Sequence, residues 1–556
     1  MDTTTKYTLT IIDTTGIQAY IFGSNRLREN IGASQLVQHA TSEYVRQALQ
    51  HALGEHHDLA KLASEPPLEH TPDRRCEVIY AGGGNVLLLF RTPDDAKKTV
   101  RELSKLLHTH APDLRIAAAH LPFDWDTDLL GQHDGNPGVL AHLYAELGKR
   151  KQLGLPEAPP LALGVTLACA STGLPAVAPD EPDQNQSPRF ISAATLGKLD
   201  ARDAADQRFQ NILTTITSKY AIPKDFDDLG RSRDQQSYIA VVHLDGNGMG
   251  QRFEKAGANA STNREFIEAV RSLSSQINQA AMTALNNTLI ALTDMLAAQP
   301  DHETEKEVQL WLQSVIDFCD NLAKDGKSGL HFLPFRPLVF GGDDVTFVCD
   351  GRLGLALAHR FLIEFEQATS DLLGETAYAC AGVAIVKSHY PFARAYALAE
   401  ELCQNAKRAL RNADISNCSA LDWHIVASGR TDSISAIRER EYANSTLTAR
   451  PLLLCDLPPT HPYHSTWQHR TWAHLRDTVY KFNYSDAWRE RRNKVLALRE
   501  VLRQGDDAVK QFKIRYNITT LPHEDHAVLF DTIETMEFLL PLEPPILYAK
   551  EQPTHA

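Results

Sequence analysis

Two apolar runs, Leu338-Val339-Phe340 and Val345-Thr346-Phe347-Val348, flank the tetrapeptide Gly341-Gly342-Asp343-Asp344. β-Prone residues on both sides of a Gly/Asp turn read as a tight β-hairpin. The glycines permit a sharp reversal and leave room for a bulky ligand. The adjacent carboxylates repel each other unless a cation sits beside them, and Mg2+ or Mn2+ is the cation that oxygen donors of this kind hold. Such a tip suits metal-assisted nucleotidyl transfer from a nucleoside triphosphate. Gly and Asp also make ordinary surface turns, so the assignment rests on the rest of the chain.

A third carboxylate comes from Tyr238-Ile239-Ala240-Val241-Val242-His243-Leu244-Asp245, a buried strand that ends in an acid. The hairpin is expected to lie beside this strand, so that Asp245, Asp343 and Asp344 converge as metal ligands and catalytic acids. The backbone carbonyl of Gly246 is a further candidate ligand. The turn Gly246-Asn247-Gly248-Met249-Gly250 enters a helix, whose free N–H groups suit phosphate. Asn247, Gly248 and Met249, with Gly341 and Gly342, are therefore the expected nucleotide-binding positions.

The same unit occurs twice, and the elements that carry the acids are repeated with it. Tyr7-Thr8-Leu9-Thr10-Ile11-Ile12-Asp13 matches the strand that ends at Asp245. Tyr80-Ala81-Gly82-Gly83-Gly84-Asn85, followed by Val86 to Phe90, matches the acidic hairpin, with Gly84 and Asn85 in place of its two aspartates. His120-Leu121-Pro122-Phe123 echoes His389-Tyr390-Pro391-Phe392. Lys149-Arg150-Lys151 echoes Lys407-Arg408 late in the following helix. The expected fold class is α+β: two ferredoxin-like palm domains, each an antiparallel-rich sheet with helices on one face. Without hairpin acids, the first copy should hold metal poorly.

The expected divisions are a first palm over 1–155, a connector over 156–236, a second palm over 237–427 and a C-terminal helical domain over 428–556. The segment Pro175 to Pro188 reads as a loop and Lys224 to Gln236 as a hydrophilic lead-in. Helices are expected over Thr262 to Ala298 and Glu305 to Ala323, and Trp467, Trp472 and Trp488 as core. A formal net charge of −14 argues against a protein that grips long nucleic acid by itself, and the run Trp488 to Lys494 reads as a solvated helix face. Eight scattered cysteines without Cys-x-x-Cys argue for a reducing cytoplasm and against a disulfide scaffold or zinc ribbon. No apolar run is long enough to span a bilayer, and no signal-peptide pattern opens the chain. The pairs His57-Asp58 and His133-Asp134 read as surface chemistry.

Taken together, these motifs resemble the large polymerase/cyclase subunit of type III CRISPR effector complexes. Its pattern is matched by Leu244 to Gly250, Phe340 to Asp344, Lys387-Ser388-His389-Tyr390-Pro391-Phe392 and Ala406-Lys407-Arg408. Also similar are Gly16 to Phe22, Arg26 to Glu29, Gly32 to Ser34, Asn493-Lys494 and Leu498 to Glu500. The resemblance implies conversion of ATP into cyclic oligoadenylate, an antiviral second messenger, with Mg2+ or Mn2+ as cofactor. It implies Lys387 and Lys407 as triphosphate ligands, and an acceptor-nucleotide seat in the first palm at Asp13, Gly82, Gly83, Gly84 and Asn85. It also implies partner subunits of a CRISPR-type or other defence assembly, and RNA. Cys169 to Ala176 resembles half of that family's zinc knuckle, with Thr172 where a second cysteine would fall, so no zinc is expected. A strand at residue 7 leaves no room in this sequence for a preceding HD domain, so direct DNA cleavage is not expected. A GTP-using or mixed-base cyclase of the same palm fold is the first alternative. A non-catalytic nucleotide- or RNA-binding scaffold is the second.

Overall fold

The computed structural model describes residues 6–59, 61–132, 137–154, 164–180, 188–212, 219–230, 237–258, 260–299, 305–426, 433–442 and 447–545. His133-Asp134 and residues 181–187 of the Pro175–Pro188 segment lie outside these. By contacts the chain forms two units. The first is Met1–Asn211, Gly248–Gln279 and Gly341–Asp343, and the second is Ile212–Asn247, Ala280–Phe340 and Asp344–Ala556. This grouping is coarser than the four stretches read from sequence.

The first unit contains β1 (Lys6–Thr15), α1 (Ile17–Phe22), α2 (Leu27–Ala40), α3 (Glu43–Leu53), β2 (Cys76–Gly82), β3 (Asn85–Phe90), α4 (Pro93–His110), β4 (Arg115–Asp124) and α5 (Val139–Leu153). A small ribbon of β5 (Ala178–Pro179) and β6 (Phe190–Ile191), then α6 (Ala193–Asp200) and α7 (Arg202–Ile212), follow. The main sheet runs β2-β3-β1-β4, antiparallel throughout, which is the ferredoxin-like order. Local chemistry starts α4 cleanly: Thr92 caps it by accepting from the Asp95 N–H, and Pro93 occupies the first turn. Tyr7, Leu9 and Ile11 point into a core that Leu143 and Leu147 of α5 close. The alternate residues Thr8, Thr10 and Ile12 are equally buried, and α4 also packs on this sheet. Helices therefore cover both faces, not one as expected.

The second unit contains α8 (Asp227–Gly230) and β7 (Tyr238–Gly246). The helix α9 (Met249–Ala258) belongs to the first unit, and α10 (Asn263–Leu296) runs from the first into the second. Then come α11 (Lys306–Asp320), β8 (Phe335–Val339), β9 (Asp344–Asp350), α12 (Gly354–Leu373), β10 (Ala379–Lys387), α13 (Phe392–Asn412) and β11 (Ala420–Ile425). The C-terminal part holds α14 (Ile434–Glu441), β12 (Leu452–Leu453), α15 (His464–Trp467), α16 (Trp472–Tyr484), α17 (Arg492–Leu502), α18 (Asp506–Arg515) and α19 (His526–Thr535). The sheet order is β12-β11-β10-β7-β9-β8. Its core β10-β7-β9-β8 repeats the first sheet's order, and β11 is added parallel to β10.

Both faces of this sheet are covered too. Gly354, at the start of α12, sits against Ala240 and Val383, whereas a Cβ on Gly382 would collide with the Ala399 carbonyl and the Cys403 amide of α13. Consecutive apolar residues in β7 and β10, rather than alternating ones, are the sequence signature of strands buried on both sides. The C-terminal helices share a core of Phe482, Trp488, Leu498 and Phe530. They are tied to the sheet by buried Arg450, which donates to Asp531 and Glu534 and to the carbonyl of Trp423. Trp467 and Trp472 are also buried. Cys418 and Cys455 are joined as a disulfide, a pairing the scattered spacing did not suggest. His57, expected at the surface, is buried between Glu65 and Glu55. Among the described residues, no helix is long and apolar enough to cross a membrane.

Candidate active site

In the second unit, β7 lies between β10 and β9, and its last residues set the register of the site. Asp245 faces Asp344 across β9 and Cys380 across β10. Two residues earlier, on the same face, buried His243 places Nδ1 3.1 Å from Thr346 Oγ1 and 3.5 Å from Asp344 Oδ1. Burial pushes the His243 imidazole below its ordinary value, against the pull of Asp245 and Glu400. The ring is therefore neutral at pH 7, and it meets Asp344 as a polar neighbour rather than a counter-charge.

Lys407 reaches the strand end because α13 presses on Gly382. Ala399, Cys403 and Lys407 recur every four residues on one face of the helix. Cys403 Sγ contacts the Cys380 carbonyl at 3.2 Å, and Lys407, one turn on, meets Cys380's neighbour in the sheet. Its Nζ lies 2.7 Å from Asp245 Oδ2 and donates to the Gly246 carbonyl at 2.7 Å. The Asn247 N–H donates to the Tyr378 carbonyl at 2.8 Å, which fixes the turn. Asn247 Oδ1 is buried without a hydrogen-bond partner.

The hairpin tip groups with the first unit. Gly341 and Gly342 have φ of 131° and 75°, conformations that favour glycine, and the Gly342 N–H donates to Asn278 Oδ1 at 3.2 Å. Half-buried Arg208 approaches Gly341, and desolvation pushes its guanidinium down to about 10. Tyr80 is held above its usual range by burial and then by the charge of Asp343. Gly248 turns the chain at φ 67°, and Met249 is buried at the start of α9.

The first sheet repeats this frame residue for residue at the strand end. Asp13 faces Asn85 across β3 and Ala117 across β4. On α5, Leu143 and Leu147 enter the core and Lys151, four residues on, lies 2.5 Å from Asp13 Oδ2. Gly82 ends β2 and faces Asn85. Gly83 and Gly84 make the turn at φ 57° and 83°, and Thr14 closes it by donating from both N–H and Oγ1 to the Gly84 carbonyl. Asn85 Oδ1, like Asn247 Oδ1, is buried without a hydrogen-bond partner.

Two expectations fail on register. Lys387 pairs with Tyr238 at the opposite end of β7 from Asp245, seven residues or about 23 Å along the strand, so it cannot share a triphosphate bound at Asp245. The His-x-Pro-Phe echo fails with it: His120 lies in β4, whereas His389 follows β10 and is exposed. Sequence reading missed His243, Tyr378, Arg208 and the Lys151–Asp13 pair. Only the last had a signal, the four-residue ladder from Leu143 to Lys151. Cys169 is buried among hydroxyls. Burial works to raise its thiol, but hydrogen bonds with Thr172, Thr195 and neighbouring backbone outweigh it and draw the thiol down to about 6.

Comparison with known proteins agrees with this frame. Residues 238–414 match the second palm domain of Cas10/Cmr2. No curated protein matches the sequence. Among solved structures, the Csm1-Csm4 subcomplex of the type III-A CRISPR-Csm interference complex is similar, with 14% identity over 96% of this chain and 70% of that chain and a TM-score of 0.50. A Csm1-Csm4 cassette in complex with cA3 has 12% identity over 97% of this chain and 70% of that chain, at the same TM-score. Csm1 of T. onnurineus has 14% identity over 98% and 68%, at 0.49. Residues 238–414 therefore form a second palm domain of the Cas10/Cmr2 type, and the chain is similar in fold to these Csm1-containing structures.

Proposed function

We propose that this chain is a metal-dependent nucleotidyltransferase that joins ATP into cyclic oligoadenylate, a second messenger in antiviral defence. The observation that carries the reading is the cross-strand pair Asp245–Asp344 beside Lys407, at the strand end of a Cas10-type palm. The donor set fits a hard dication. Asp245 Oδ2 and the Gly246 carbonyl already converge on one cationic atom, and an all-oxygen set suits Mg2+ or Mn2+. Asp245, Gly246, Asp343 and Asp344 would hold the ion. When bound, it would polarise the attacking 3′-hydroxyl and offset charge on departing pyrophosphate.

The remaining work falls to the chain. Lys407 holds the Asp245 carboxylate and the Gly246 carbonyl in one orientation and supplies positive charge for the triphosphate. Asn247, anchored through its N–H, offers a buried amide oxygen. The glycines at 248, 341 and 342 leave the backbone open to a nucleotide, and Arg208 adds a cation near the hairpin tip. In the first palm, Asp13 is neutralised by Lys151 and Asn85 carries no charge, which suits a seat for a nucleotide that is bound but not activated. The cassettes with Csm4 and with cA3 support a companion subunit and an adenylate ring for this chain.

The test is incubation with each NTP and Mg2+ or Mn2+, with and without RNA, followed by mass spectrometry of the products. A cyclic oligoadenylate supports the proposal, and a guanylate or mixed product replaces ATP in it. One observation favours a scaffold instead: Lys407 neutralises Asp245 without metal, as Lys151 does Asp13. Nucleotide binding with no product under any condition would decide for the scaffold.

A further inference from the structure

Three imidazoles meet in the C-terminal part of the second unit, away from any motif read in the sequence. His469 precedes the cap of α16, His474 lies in its first turn, and His523 stands two residues before Asp525, the cap of α19. One ring nitrogen from each lies within 4.8 Å of the others. Among the described residues this is the one group of three metal-ligating side chains so placed.

The rings stand at the spacing of ligands around a point. Their centroids are 5.2, 5.4 and 4.9 Å apart and their planes are crossed at 83°, 81° and 87°. A Zn–N bond of about 2.05 Å puts a ring centre about 3.2 Å from the metal, and tetrahedral ligands then have centres about 5.2 Å apart. The frame is held before any ligand arrives. The Thr471 and Asp525 side chains cap their helices, the Arg470 carbonyl accepts from Leu453, and Lys481 Nζ donates to the Pro522 carbonyl.

The charged groups that act on the cluster are the carboxylates of Asp456, Asp477 and Asp525 and the ammonium of Lys481, with Asp477 also paired to Arg476. The buried Nδ1 of His469 has no hydrogen-bond partner. The Asp525 N–H donates to His523 Nδ1, and His523 Nε2 meets His474 Nδ1 at 2.9 Å. A metal on His523 Nε2 displaces that inter-ring bond and the amide bond to Nδ1, two neutral hydrogen bonds against three metal–ligand bonds.

We propose that His469, His474 and His523 bind one Zn2+ ion, with water in the fourth position, as a clip between α16 and the segment that enters α19. Nitrogen donors of this kind select zinc over Mg2+, so the site is distinct in chemistry from the carboxylates of the palm.

The full-length protein, stripped with a chelator, is titrated with Zn2+ by calorimetry and with Co2+ by visible absorption. His474→Gln, His523→Gln and the double variant Asp343→Ala/Asp344→Ala are measured beside it. One equivalent is expected in wild type and in the carboxylate variant, with affinity at least about 100-fold weaker in each histidine variant. No equivalent in wild type, or one that survives both histidine substitutions, overturns the proposal. So does an equivalent lost only in the carboxylate variant. If the histidine variants do not fold, X-ray absorption of zinc-loaded wild type decides: fewer than three imidazoles in the first shell overturns it.

Discussion

Lys407 can be removed with effects of opposite sign on metal binding and on turnover. Its Nζ is 2.7 Å from both Asp245 Oδ2 and the Gly246 carbonyl oxygen. Unit charges at that distance attract by about 6 kcal/mol at an effective dielectric of about 20. Desolvation and the loss of lysine rotamers remove more than half, leaving about 2–3 kcal/mol, the range of hydrogen bonds to charged groups. Lys407→Met keeps the stem and deletes the charge, so metal-free stability should fall by about 2–3 kcal/mol in urea melts with chelator. A metal that binds Asp245 in wild type must first displace the ammonium, and in the variant it need not. Mn2+ should therefore bind the variant roughly 30- to 150-fold more tightly, the same energy expressed as affinity. Product formation should nevertheless fall at least about 100-fold, because a cation aimed at the triphosphate is lost. Unchanged metal-free stability, or equal Mn2+ affinity in both proteins, would refute the competition between ammonium and metal.

Asp343→Ala/Asp344→Ala should abolish cyclic product in the mass-spectrometric assay while changing the unfolding free energy from urea melts by less than about 1 kcal/mol, since these residues lie at a turn tip. Lys387→Ala should leave kcat and KM for ATP within about twofold, because Lys387 stands at the far end of β7; a large rise in KM would restore it to the site. Gly84→Ala should destabilise by about 1–3 kcal/mol in the same melts, its φ being 83° and its Cβ falling 2.6 Å from Ile17 Cδ1. Buried His424 is held down to about 3 by burial and then by Arg450 and Arg438. The unfolded chain takes up its proton first, so stability is full above about pH 6.5 and is lost as pH falls toward 3, by up to about 1.4 kcal/mol per unit. Urea melts from pH 7 to 5 should show this slope shallower in His424→Asn, and an equal slope would sink the assignment.

What was legible in the sequence was what lies within one strand, turn or helix. The hairpin over Leu338 to Val348, the strand that ends at Asp245 and the long helix over Thr262 to Ala298 each carry their signal in local periodicity and turn residues. Depth across the sheet was not legible as a number of layers, although the unbroken apolar runs of β7 and β10 carried it. The expectation of one covered face came from the fold class rather than from these runs. Lys387 fails for a related reason. Its motif is a run along the chain, and an antiparallel strand carries the end of that run away from the site as fast as its start approaches it. The histidine cluster has no sequence signal, because His523 comes forty-nine residues after His474 and no fixed ligand spacing joins them.

The two palms differ less in geometry than in charge. Each ends its central strand in an aspartate, places the same hairpin position across from it, and brings a lysine to it from a helix whose previous turns are apolar. Asp13 with Lys151 is neutral, and so is Asp245 with Lys407. The net difference is therefore the two hairpin carboxylates, Asp343 and Asp344 in one copy against Gly84 and Asn85 in the other. A dication is drawn to a site in proportion to the negative charge left after its own lysine is counted. That residue of charge is two in the second palm and none in the first. Under the proposed function, one frame would thus serve as a metal-dependent centre and as a metal-free seat, without any change in backbone register, the lysine common to both holding each aspartate before a ligand arrives.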